Sequence, residues 1–209
     1  MFFAKPKKEK PDLQALRPVF EAQKNVLMKK GYPALFGLGN FEKEVESAWN
    51  NFAADAPNIE FARFGQVPLL LVANFSDIRQ GIESIGGHTE LSPELIKKNT
   101  ENMDAFYVLL DVEDGSKMMA RSPKDALKKF GAQKRSPLTI SGSIALLTYY
   151  PSLLKHHYVI SAGSFYDKGD GETLPLLWLL DEHGKPELHY AWFHIAHGSY
   201  GTPSFAERF

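Results

Sequence analysis

The chain has 209 residues, a formal net charge of −1, 44% apolar residues and no cysteine. The apolar content excludes a disordered chain, and the near-neutral charge excludes phosphate binding over the whole surface. Without cysteine there is no disulfide-stapled module, thiol enzyme or thiolate zinc finger, so a globular domain with a substantial core remains.

Residues 1–30 carry eight basic against three acidic side chains. Residues 1–11 read as a flexible basic tail and residues 12–209 as a single globular domain. The tail opens a route to nucleic-acid association, but its few lysines offer few phosphate contacts, and a solvated end is the plainer reading. No signal-peptide pattern follows it, and no apolar run reaches the roughly 18 residues of a membrane helix. A cytoplasmic protein is expected.

Pro18 at a first helical position and Gly31 as a stop predict a helix over 18–30. Asn40 caps a second, over 41–54, with Phe41, Val45, Trp49 and Phe52 on one stripe. Strands are expected at 67–74 and 105–111, with 117–121 as the hairpin partner of the latter. Ser92-Pro93 and Ser122-Pro123 share a helix-start signature, and an apolar helix follows Thr139 over 140–150. Strands follow at 157–161, 174–181 and 187–195, the last two joined by a hairpin. Leu188, Tyr190, Trp192 and His194 then share one face of the last strand, and His189, Ala191, Phe193 and Ile195 the other. Helices and strands mix without regular alternation. The expected class is α+β, with N-terminal helices packed on a mainly antiparallel sheet and a C-terminal β-hairpin.

No nucleotide-binding, hydrolase-elbow, zincin or EF-hand pattern is present, so no cofactor is implied. The segment 167–172 reads as a turn, since Gly169 stands where a calcium loop needs an oxygen ligand. Six of the seven histidines lie between His156 and His197 without chelating spacing. His189 and His197 would stand about 26 Å apart on a straight strand, so no metal is expected.

The candidate catalytic residues are His197, as general acid/base, and Ser164, as a nucleophile following Gly163. Together they make a hydrolase- or transferase-type enzyme the alternative function. Trp178 and Trp192, on strands expected to pair, are candidate ligand-binding rings, although tryptophan is more often core. His88, after Gly86-Gly87, is a further ligand-binding candidate, against the simpler reading of an exposed turn.

Several segments stand in a recognisable order. They include Gly31-Tyr32-Pro33-Ala34, Gly65-Gln66-Val67-Pro68, Leu109-Leu110-Asp111-Val112, Ser122-Pro123-Lys124-Asp125 and Ser136-Pro137-Leu138-Thr139. Gly163-Ser164, Leu177-Trp178, Trp192, His197 and Gly201 complete the set. Over roughly residues 18 to 204 the chain resembles an uncharacterised bacterial family known only as a domain of unknown function. The resemblance implies one domain, with His197 and Ser164 in its shared framework, and no activity. It departs at Phe165 and Tyr166, where the family pattern has arginine and cysteine. The leading expectation is a protein that binds a partner protein or small molecule through its aromatic C-terminal sheet region.

Overall fold

A computed structural model describes residues 8–98, 104–167, 172–180 and 184–209. Residues 1–7 of the expected tail, most of the turn at 167–172 and the hairpin tip at 181–183 lie outside them.

The chain opens with a short strand β1 (Lys8–Glu9), the helices α1 (Leu13–Lys29), α2 (Tyr32–Phe36) and α3 (Phe41–Asp55), and the strands β2 (Phe61–Ala62) and β3 (Val67–Ala73). Next come α4 (Ile78–Ser84), β4 (Ile96–Lys98), β5 (Phe106–Val112), α5 (Pro123–Gln133), β6 (Ser136–Pro137) and α6 (Ile140–Tyr149). The rest is β: β7 (Tyr158–Ile160), β8 (Ser164–Tyr166), β9 (Thr173–Leu180), β10 (Lys185–Trp192), β11 (Tyr200–Gly201), β12 (Ser204–Phe205) and β13 (Glu207–Arg208). The fold is α+β.

Four segments differ from expectation. Asp12 accepts the N–H groups of Gln14 and Ala15, so α1 starts at Leu13 and Pro18 lies inside it, where its missing N–H forfeits one backbone bond. Ser92-Pro93 opens only a single 3-10 turn (Pro93–Leu95) running into β4. Residues 117–121 form no hairpin; β5 pairs instead with β3 and β13. Lys8 and Glu9, assigned to the tail, pair with Ala62 and Phe61.

The first sheet has the order β13-β5-β3. On one face Phe106 meets Phe36 at 5.0 Å and Phe41 at 5.1 Å, which seats α2 and α3 there. On the other, Leu109 approaches Gly142 of α6. Helix α6 is buried on every side from Ile140 to Thr148 and is capped by Thr139. It packs on β3, and Ser143 hydrogen-bonds Ser161 at the end of β7, so the helix lies between the two larger sheets. Gln23 of α1 reaches the outer edge of β3. It donates to the Leu69 carbonyl at 2.8 Å and accepts the Leu71 N–H at 2.7 Å, as a neighbouring strand would.

A buried polar cluster sits at the end of β5. The Arg135 guanidinium pairs with Asp111, each side chain 2% exposed, and also holds the Asp111 and Ser204 carbonyls. Two residues on, Glu113 is buried, with Oε1 accepting the Lys117 N–H and, among the described residues, no hydrogen bond to Oε2. Burial, with Asp114 nearby, pushes its carboxyl above the usual range. The folded state therefore favours the protonated form. This contribution to stability is complete below the unfolded pKa and is lost as pH rises through the raised value. Glu113→Gln is expected to raise the melting temperature at neutral pH, and the gain to vanish toward about pH 4. Thermal unfolding of both proteins from about pH 4 to about pH 8 measures this; a gain independent of pH would refute it.

Candidate aromatic binding face

The second sheet has the order β10-β9-β7-β11. Its register places Tyr200 beside Tyr158, Val159 beside Leu177 and Trp178 beside Glu187. Antiparallel continuation sets Tyr158 beside Trp178. Directly opposed residues share a face, so Tyr200, Tyr158, Trp178 and Glu187 form one rung across four strands. The opposite face carries Val159, Leu177 and Leu188, all fully buried in the main core.

The rung is half-buried, and its rings are continuous. Centroids lie 6.2 Å apart for Tyr200–Tyr158 and 6.0 Å for Tyr158–Trp178. His189, diagonal to Trp178, adds a contact at 4.8 Å, and His197 covers Tyr200 at 4.5 Å. Trp178 Nε1–H donates to Glu187 Oε2 at 2.8 Å, which fixes the indole and places a carboxylate in the row. Burial, then Tyr158, pushes the Tyr200 phenol above its ordinary value, so it remains a protonated donor at neutral pH. Along the same face Ile160, Leu174, Leu176 and Ala191 form a second small core under Leu127, Phe165 and Phe193. The covered end anchors the strands, and the aromatic end stays open.

Of the sequence candidates, Trp178 and His197 reach this row, joined through Tyr158 and Tyr200, and His88, bridged opposite Glu187, extends it beyond β10. Trp192 does not. It opposes Thr173 at the other end of the hairpin, on the reverse face, with its ring 46% exposed against Tyr190. The pairing of strands does not bring the two tryptophans together, because their register positions differ in parity. Strand β10 also stops at Trp192, so His194 and Ile195 belong to no strand face.

Ser164 is fully buried, and its hydroxyl accepts the Ile140 N–H at 3.0 Å at the start of α6. That is a structural role, and it leaves no oxygen facing a substrate. The exposed His197 holds the Ser199 N–H on Nδ1, and among the described residues no hydrogen bond joins it to the buried Ser164. His88 is exposed, and its backbone bridges to the edge of β10 at Glu187.

Sequence reasoning missed Tyr158, Tyr200, His189 and Glu187. Alternation along single strands was visible, but the alignment of strands far apart in the chain was not. Among the described residues no three His, Cys, Asp or Glu side chains converge to hold a metal ion. Nor is any helix among them long and apolar enough to cross a membrane.

The profile of a family of unknown function (DUF5701) matches residues 94–209, which include the whole aromatic rung. No curated protein and no solved structure matches the chain.

Proposed function

Because the chain belongs to DUF5701, whose function is unknown, we propose a role from the site itself: the protein is a docking module for another protein. The partner lays a basic side chain across Tyr158 and Trp178, with its charge reaching Glu187. A cytoplasmic setting is part of the proposal and agrees with the cysteine-free sequence.

The tilt of the rings carries this reading. Tyr158 and Trp178 meet at 75° and Tyr158 and Tyr200 at 48°. A base spread over several rings needs a flat platform, which these tilted rings do not offer, whereas half-buried Trp and Tyr are the residue types enriched at the hot spots of protein interfaces. An arginine stacked on such rings gains a cation–π contact, and a carboxylate at their edge selects for its charge. Glu187 is the carboxylate of the row, with Lys185 two residues before it on the same strand.

A photo-crosslinking residue at position 189, introduced in the native host, tests this. A discrete protein adduct is expected, with its yield falling at least tenfold on Trp178→Ala or Glu187→Gln, the scale of a hot-spot loss. No adduct, or an adduct that survives both substitutions, overturns the reading.

A further inference from the structure

A cleft of about 430 Å³ opens between β5, β13 and the turn from β6 into α6. Its size is in the range of small-molecule sites. Leu109, Pro137 and Phe205 supply apolar wall, and Tyr107, Thr139 and Arg208 supply polar groups.

Strand register decides its charge. Arg208 opposes Leu109 and Glu207 opposes Leu110. Successive strand residues point to opposite faces, so Arg208 shares the cleft face with Leu109 and Tyr107, while Glu207, which also lines the cleft, lies on the alternate face of the strand. The Arg208 guanidinium lies 5.8 Å from the Tyr107 ring centroid. Among the described residues no carboxylate pairs with it. A guanidinium laid on a ring keeps its planar fork of donors directed outward, the geometry that matches an oxyanion.

The polar groups beside Arg208 are equally defined. The Tyr107 hydroxyl lies 3.4 Å from Thr139 Oγ1, which also accepts the Gly142 N–H. Burial pushes the Tyr107 phenol up to about 12, so it holds its proton at neutral pH. Gly163 closes the floor: a Cβ there would stand 2.7 Å from the Pro137 carbonyl oxygen.

We propose that this cleft binds a small organic oxyanion, with a carboxylate or phosphate on the Arg208 fork and an apolar body against Leu109, Pro137 and Phe205. The site is separate from the aromatic row and does not depend on its reading.

Benzoate, phenyl phosphate, benzamide and inorganic phosphate distinguish the parts of the proposal in an NMR titration of the full chain. Benzoate or phenyl phosphate is expected to give saturable shifts at the Arg208 Nε–H and at the amides of Thr139 and Arg208; which of the two binds more tightly identifies the head group. Arg208→Gln should weaken binding at least tenfold, and Arg208→Lys should recover part of it. Arg208 is exposed, so the spectra of both variants should otherwise overlay the parent. Equal binding of benzamide removes the oxyanion. Binding of inorganic phosphate as tight as that of phenyl phosphate removes the apolar body. Unchanged affinity in Arg208→Gln, or shifts scattered outside the cleft, removes the site.

Discussion

Asp111→Asn is expected to destabilise the protein by about 3–5 kcal/mol, the usual loss when one partner of a buried ion pair is removed. Asp111 has a φ of 54°, a left-handed conformation that asparagine also adopts, so the backbone contributes little to the change. The charge is what is lost. Asp111 Oδ1 accepts the Gly65 N–H at 2.9 Å, and Oδ2 accepts the Phe64 N–H at 3.0 Å and Arg135 Nη1 at 2.5 Å. An asparagine would turn an NH₂ toward one of these donors and leave a guanidinium buried without a counter-charge. Chemical unfolding of Asp111→Asn, Arg135→Met and the double variant measures the pair. The double variant should be more stable than the sum of the single losses predicts. A single-variant loss below about 1 kcal/mol would contradict the buried-pair account.

Gly65→Ala carries the second large effect, about 3 kcal/mol or more, from forced overpacking. A Cβ on Gly65 would stand 2.5 Å from the Val112 carbonyl carbon and 2.6 Å from that of Asp111. Both atoms are backbone of β5, which cannot rotate aside. Moving the loop would also break the Gly65 N–H bond to Asp111. Gly37→Ala supplies the contrast. Gly37 has a φ of +60° and no atom near its missing Cβ, so only the conformational cost of about 1–2 kcal/mol applies. Equilibrium unfolding should separate the two; equal losses would mean that space at Gly65 is not the limit.

Much of the fold was readable locally. Asn40, Ser122 and Thr139 each cap the helix their sequence context announced, through a side-chain bond to an N–H three residues on. The strands at β3, β5, β9 and β10 followed from apolar runs and alternation. What local signals lacked was competition. Asp12 started α1 ahead of Pro18, and Ser92-Pro93 was followed by a β pairing with β8 that ended its helix after one turn. The aromatic row depended wholly on register. Tyr200 and Tyr158 meet through a parallel pairing of two-residue reach, which no pattern within either segment reveals. Ser164 looked available for chemistry because a Gly-Ser pair at a strand end is the same whether it faces solvent or caps a buried helix.

The Gln23 amide on β3 has a consequence for how the chain survives in company. The last strand of a sheet exposes a row of peptide groups that any extended segment can add to, another copy of the same chain included. One side chain occupies both the Leu69 carbonyl and the Leu71 N–H, and Tyr149 donates to the Leu71 carbonyl at 2.9 Å. A chain cut ahead of β3 and stripped of α1 would lose that plug, and the β3 edge would stand open to another strand.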